Sequence, residues 1–221
     1  MRQTTSSGTN ETLTSPSRRS REGRGELAIV LLAAGSSSRM GQSKQLLSVD
    51  GKPLLLKSVE AALGAGADKT IVVLGSDETA HRKIICDLHL EIIHNPDWGK
   101  GMGTSLKAGL NHALKIVPGL EAVMIVVCDQ PLVTSQHLKM LIQKYRTAKK
   151  SIVASAYAGT LGVPALFGQS LFQKLLALED GQGAKKILLD HAESVVSVDF
   201  PDGAIDLDTP EDFEAFLSKP V

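Results

Sequence analysis

The chain has 221 residues, 43% of them hydrophobic and 22% charged, a globular composition long enough to bury a substantial core. Lysine plus arginine balance aspartate plus glutamate at 24 each, so no global field draws in nucleic acid or an acidic membrane, and any anion site must be local. Aromatic residues at 4% disfavour a base-stacking platform, and no apolar run nears the ~20 residues needed to span a bilayer. The two cysteines, Cys86 and Cys128, lack CxxC spacing, which argues against a zinc site or disulfide framework and for a reducing cytoplasm.

Residues 1–25 are rich in Ser, Thr, Arg and Gly and lack the apolar segment of a secretory signal; they are expected to form a disordered tail rather than a transit peptide. Residues 26–221 are expected to form a single domain. "LAIVLLAA" (27–34) reads as a first strand, continuously apolar and so buried on both faces. A helix over 51–67 follows, opened near Pro53 and stopped by glycines. A strand over 69–75, a helix over 77–88 and a strand over 90–95 come next. The segment 103–117 carries apolar residues at 106, 110, 113, 114 and 117, the spacing of one helix face. "EAVMIVVCD" (121–129) is another continuous strand, and 135–148 another helix. Strands at 151–156 and 162–167, a helix over 169–178, a helical stretch near 183–191, "SVVSVDF" and "DLDTPEDFEAFL" complete the chain. The alternation predicts an α/β three-layer sandwich around a mainly parallel, mixed sheet.

Ligands in such folds bind beyond the carboxyl ends of the strands. Three charged or glycine-bearing segments are expected there: the loop 33–45, the end of strand 121–129, and the turn 206–209. The loop reads "AAGSSSRMGQSKQ". It could cradle phosphates, bind a dinucleotide, or only turn a corner. It is not a Walker A loop, because five residues separate Gly35 from Gly41 and Lys44 comes three after the second glycine. Nor does it carry the G-x-G-x-x-G of a dinucleotide fingerprint. As a phosphate binder it makes physical sense. Gly35 permits a tight turn with inward N–H groups, Ser36, Ser37 and Ser38 add donors, Arg39 offers a planar fork, and Lys44 a mobile point charge. A solvated loop with Arg39 and Lys44 in water is the plain alternative.

Asp129 ends an apolar strand, where an aspartate often only caps a turn. Asp206 and Asp208 lie two apart, on one side of an extended segment. Thr209, Pro210 and Asp212 read as a helix start, which leaves Asp208 unexplained. Two carboxylates from separate strand ends facing a phosphate loop point to a Mg2+ site at Asp129 and Asp208.

The segments "LAAGSSSRMGQSKQLL", "DGKPLL", "NPDWGKGMGTSLKAGL", "VVCDQPLVT", "GVPALF" and "DLDTPEDF" stand in the order found in the MobA-like nucleotidyltransferases, and the chain most resembles their molybdenum cofactor (molybdopterin) cytidylyltransferase branch. The likeness covers about residues 27–217. It implies a Rossmann-like nucleotidyltransferase fold that joins CTP to the terminal phosphate of a molybdopterin-type acceptor with Mg2+, releasing pyrophosphate, and a molybdenum hydroxylase as client. "LAAG" is similar to the cytidylyltransferases, whose guanylyltransferase relatives more often carry a second glycine. "CDQP" differs from the motif of methylerythritol-phosphate cytidylyltransferase. By position, the resemblance puts Ala33, Ala34, Gly35, Ser36, Arg39 and Lys44 on the nucleotide, Gly75 beside the base, and Gly101, Thr104 and Ser105 near base or ribose. Arg39, Lys44 and Asp129 become the catalytic groups, Asp129 and Asp208 the metal ligands. Gly162, Pro164, Asp180 and Lys185 fall on the acceptor side.

One tract departs from the family pattern. Where a Gly-Asp-x-Gly-Ala-Arg run is common, the chain has Asp180-Gly-Gln-Gly-Ala-Lys185, with Gly181 and Lys185 in place of Asp and Arg. Lysine keeps the charge without bidentate geometry. The tract leaves open a different acceptor, such as a sugar or polyol phosphate. A non-catalytic maturation chaperone is the alternative of another kind, disfavoured by Arg39, Lys44, Asp129 and Asp208 occurring together. His81, His89, His112, His137 and His191 read as solvated or locally hydrogen-bonded, His94 as near the base site, Trp98 as a loop anchor, and Cys128 as core.

Overall fold

A computed structural model describes residues 25–218; the expected tail, apart from Gly25, lies outside the described residues. The central strand β1 (Glu26–Ala33) is buried at every position after its first. Parallel to it lie β4 (Lys69–Leu74) on one side and β6 (Leu120–Val127) on the other. With β5 (Glu91–His94), β7 (Ile152–Tyr157), β8 (Thr160–Gly168) and β9 (Val195–Asp199) they form a seven-stranded sheet in the order β5-β4-β1-β6-β8-β7-β9. A separate ribbon pairs β2 (Ser48–Val49) with β3 (Lys52–Pro53).

Only β8 runs against its sheet neighbours. Its reversal is local in origin. Between β7 and β8 stand Ala158 and Gly159 at φ 48° and 70°, the left-handed pair that closes a tight hairpin. Too few residues separate the two strands for a parallel crossover. Pro164 sits inside β8 where Ser155 pairs with Gly162 but Ala154 pairs with Ala165, so Val163 and Pro164 are the surplus residues of a bulge. A residue without an N–H is tolerated at such an irregularity.

Alternation along β1 feeds two cores. Leu27, Ile29, Leu31 and Ala33 pack with α1 (Leu54–Gly64) and α4 (Ser135–Ala148) on one face. Ala28, Val30 and Leu32 pack with α3 (Met102–Ile116), α5 (Phe172–Leu176) and α6 (Lys185–Asp190) on the other. The predicted three layers are present. Predicted helices 51–67 and 77–88 shorten to α1 and to α2 (Glu78–Ile85), and 169–178 divides into a 3-10 turn and α5. Thr209 caps α7 (Pro210–Leu217) in a reciprocal box with Asp212, as its sequence indicated. Among the described residues no helix is long and apolar enough to cross a membrane.

The chain leaves β1 toward β4 and β5 and then returns to the opposite side of β1 as β6. Strand order reverses there, so the carboxyl ends of β1 and β6 open a crevice between diverging connections.

Candidate active site

A pocket of about 310 Å³ lies in that crevice, lined by Ala33, Ala34, Gly35, Arg39, Lys44, Gln45, Trp98, Met102, Ser105, Asp129 and Asp208, among others. The first loop, the end of β6 and the segment before α7 therefore converge, although 164 residues separate Lys44 from Asp208. Lys44 Nζ donates to Asp129 Oδ2 and to Asp208 Oδ1, each at 3.0 Å. Arg39 Nη2 donates to Asp208 Oδ2 at 2.9 Å. Lys44 is only 15% exposed, against 70% for Arg39, so the lysine pair is the shielded one and the arginine is free to swing.

The protonation states follow. Burial alone would lower the Lys44 pKa, but the Asp129 and Asp208 carboxylates outweigh it and the ammonium is held above its ordinary value. Burial pushes Asp208 the other way, and the bonds from Lys44 and Arg39 overcome it, leaving Asp208 below the usual carboxylate range. Asp206 receives the opposite treatment. Burial, then repulsion from Asp129 and Asp208, raise it to about 6. The site thus concentrates three carboxylates and two permanent cations at one strand edge.

The loop itself is built differently from the sequence expectation. Its left-handed positions are Ser37 at φ 55° and Gly41 at φ 66°, whereas Gly35 makes no such turn. A Cβ at Gly35 would meet no protein atom within 4 Å, because the space beside it is the open pocket. Neither backbone conformation nor protein packing therefore requires glycine at 35; a side chain there would project toward the pocket. The loop's shape is fixed by Gln45, which no sequence pattern singles out. It is 2% exposed. Its Nε2 donates to Ala33 O and Gly35 O at 3.3 and 3.0 Å, and its Oε1 accepts from Ser37 and Ser43 hydroxyls at 3.1 and 2.9 Å.

The second wall comes from the segment after β5. Asn95, 4% exposed, donates to Thr104 Oγ1 and Ser105 Oγ, both at 2.9 Å, and accepts from Asp97 N–H. Thr104 bonds the loop carbonyls of Asp97 and Gly101, so it holds the loop, while Ser105 reaches the pocket. Gly75 ends β4 so close to the wall that a Cβ there would stand 2.6 Å from Ala34 O and from Trp98 Cβ. Trp98 does more than anchor its loop: with Met102 it lines the pocket. Gly101, at φ +134°, packs on Asp180, whose carbonyl accepts from Gly103 N–H.

None of the four acceptor-side residues is in the lining of the pocket that holds Lys44. Asp180 is paired to Lys107 at 2.7 Å against the α3 start. Gly162 and Pro164 lie in β8, where Tyr157 packs over Gly162. Lys185, exposed, opens α6. A larger cavity, about 620 Å³, lies beside the β7–β8 hairpin and is lined by Tyr157, Thr160, Leu161, Leu189 and Asp199, among others. Its lining holds no Lys or Arg, whereas that of the smaller pocket includes both Arg39 and Lys44.

Of the two readings for the histidines, hydrogen-bonded rather than solvated holds for His81 and His137, which are 0% and 3% exposed and bond to Ser43 and Ser155. His94 pairs with Glu78 beside α2 and is not part of the pocket lining. Cys128 is buried core, its thiol pushed up to about 12 chiefly by burial, and so inert as a nucleophile at neutral pH.

Residues 29–195 match the MobA-like NTP transferase domain. The chain belongs to this family. Two relatives match it over nearly their whole length. It is 28% identical to the purine catabolism protein PucB of Bacillus subtilis (strain 168), over 84% of this chain and 93% of that one. It is 26% identical to the molybdenum cofactor cytidylyltransferase of Escherichia coli (strain K12), over 83% and 92%. Among solved structures it resembles Rv0371c of Mycobacterium tuberculosis H37Rv, with a TM-score of 0.76 and 26% identity over 88% of this chain and 99% of that one. Rv0371c has also been solved in complex with manganese (TM-score 0.72, 25% identity, covering 88% and 100%). The chain is a MobA-like nucleotidyltransferase with a Rossmann-like sheet.

Proposed function

We propose that this nucleotidyltransferase moves a cytidylyl group from CTP to the terminal phosphate of a molybdopterin-type acceptor. The observation that carries this is the meeting of Lys44, Arg39, Asp129 and Asp208 beside the loop 33–45. An acceptor phosphate oxygen attacks the α-phosphorus in line, a new P–O bond forms, the bond to the bridging oxygen breaks, and pyrophosphate leaves. An ionised phosphate needs no general base, which fits a pocket without histidine. The barrier is anion repulsion, about 1 kcal/mol per unit-charge pair at 4 Å in water and about 4 at an effective dielectric of 20. Lys44 sits deepest and meets the charge at the α-phosphate; Arg39, more exposed, reaches the β- and γ-phosphates. Ala34, Gly35 and Ser36 bring backbone to the phosphates, and Gly75, Gly101 and Ser105 border base and ribose.

Asp129 and Asp208 already converge on one cationic atom, Lys44 Nζ, so both aim oxygen at a common point, the donor type a hard cation takes. Among the described residues no cluster of three or more His, Cys, Asp or Glu is arranged around a metal, so these two carboxylates would hold Mg2+ together with nucleotide oxygens and water. Bound there, the ion would neutralise and polarise the reacting phosphate. The acceptor belongs in the larger cavity by the β7–β8 hairpin, on the strand β8 that also carries Gly162 and Pro164. Lys185 shares a helix face with its lining residue Leu189, at i and i+4, and offers a cation to an acceptor phosphate. Asp180 shapes the junction between the sides. Free Cys86 and Cys128 suit a reducing cytoplasm, and a molybdenum hydroxylase is the client implied.

The test is Mg2+-dependent pyrophosphate release from CTP, GTP and ATP in turn, with and without molybdopterin. Release from CTP only with molybdopterin is expected. Release only with a sugar or polyol phosphate would reassign the acceptor, and complex formation with an apo-hydroxylase without turnover would make the chain a carrier.

A further inference from the structure

The loop that carries Lys44 contains a hydrogen-bond circuit built around the Gln45 carboxamide. Gln45 Nε2 has two hydrogens, and both go to backbone carbonyls, Ala33 O and Gly35 O. That fixes its Oε1 as the acceptor of the Ser37 and Ser43 hydroxyls. Each serine has then used its one hydrogen. Ser37 Oγ accepts from Lys44 N–H at 3.0 Å, and Ser43 Oγ accepts from His81 Nε2, 2.7 Å away, at the buried start of α2. The carboxamide makes four bonds and has none to spare.

The consequence lies on the opposite side of each peptide. Ala33 O and Gly35 O are held by Gln45, and Ala34 O accepts from Ser76 N–H at 3.0 Å. Three successive carbonyls are tied into the protein. Because a trans peptide points its C=O and N–H in opposite directions, the N–H groups of Ala34, Gly35 and Ser36 are turned away from those partners. Ala34 and Gly35 line the pocket. A carbonyl rotated into it would set a partial negative charge against phosphate, and a buried one left unpaired would be unfavourable in its own right.

We infer that Gln45 is a positioning residue for the triphosphate: its buried amide holds the carbonyls of Ala33 and Gly35 inward, so that the loop presents N–H groups and Lys44 to the phosphates. This rests on the assignment of the pocket to a nucleoside triphosphate. Gln45 touches no reacting atom; it acts through the backbone on either side of Gly35 and through its covalent neighbour Lys44. Its place directly after the lysine makes the coupling short, since the Lys44 N–H and the Gln45 side chain meet at the same Ser37 hydroxyl.

The experiment compares wild type with Gln45→Met, close in size and without hydrogen bonds, and with Gln45→Glu, which can still accept from the serines but cannot donate to the carbonyls. Equilibrium binding of CTP, tripolyphosphate and CMP is measured alongside the thermal midpoint. CTP and tripolyphosphate should each bind at least about tenfold more weakly in both variants, with CMP affected far less. Ser43→Ala, which leaves both carbonyl bonds in place, should lose less than either. An equal loss for CMP and CTP would show general loosening of the pocket and overturn the inference, as would unchanged affinities in a folded variant. If Gln45→Met does not fold, the same outcomes are read from Gln45→Glu. A wild-type protein that binds none of the three ligands would overturn the nucleotide assignment itself and the inference with it.

Discussion

The proposed function gives Lys44 two tasks that compete. Its Nζ stands 3.0 Å from both Asp129 and Asp208, the pair proposed to hold the divalent ion, and the same ammonium is proposed to serve the α-phosphate. Without ligand, the lysine is the counter-cation of the acids. Lys44→Met should therefore lower turnover by about 10²–10³-fold, the effect of removing one transition-state donor. The same variant should bind Mn2+ more tightly than wild type when no nucleotide is present, as read by electron paramagnetic resonance. Normal turnover with only weaker CTP binding would refute the role at the α-phosphate. Gly35 separates folding from function more cleanly. An added methyl meets no protein atom, so Gly35→Ala should change stability by no more than about 0.5 kcal/mol while raising the Kd for CTP.

Between elements, the polar contacts are as specific as those in the pocket. His137 on α4 bonds Ser155 on β7, whose hydroxyl hydrogen goes to Pro164 O at 2.7 Å in the β8 bulge. Ser155 has no second hydrogen, so His137 donates from Nε2, and its Nδ1 is left buried without a partner beside Phe200, stacked at 4.1 Å. Burial lowers the pKa of His137, and of His81 likewise. The unfolded chain, with histidines near 6.5, takes up protons first as pH falls. Stability contributed by the neutral rings is thus present above about pH 6.5 and lost as pH falls toward the depressed folded values. Urea midpoints should drop between pH 7.5 and pH 5, and drop less in His137→Gln. A second inter-element joint is tighter still. A Cβ at Gly103 would lie 2.3 Å from the Glu179 carbonyl, so Gly103→Ala should push the 179–182 loop off α3 and lower stability by about 1–3 kcal/mol, measurable by denaturant unfolding.

At the scale of the whole molecule, the site exists only because the sheet is ordered as it is. Loop 33–45, Asp129 and Asp208 meet where β1 and β6 diverge, so a ligand bound there ties three distant segments together. CTP with Mg2+ at 100 times its Kd should stabilise the folded chain by about 2.7 kcal/mol, and Asp129→Asn should remove the Mg2+-dependent part of the thermal shift. The sheet and its layers could be read from the chain because they rest on near-neighbour patterns: continuous apolar runs at 27–34 and 121–129, a helical stripe from Leu106 to Val117, a cap at Thr209. The meeting of Arg39, Lys44, Asp129 and Asp208 could be anticipated too, since all four stand on segments expected beyond the carboxyl ends of the strands. Gln45 could not, because an amide's role lies in the carbonyls it meets, and those belong to residues 10 and 12 positions away. Nor could the burial of His81 and His137 or the pocket wall made by Trp98. Period and composition determine which segments form strands and which residues can carry charge; only the folded backbone decides which partners a polar group finds, because hydrogen bonds and ion pairs depend on distances of a few ångströms that sequence separation does not encode.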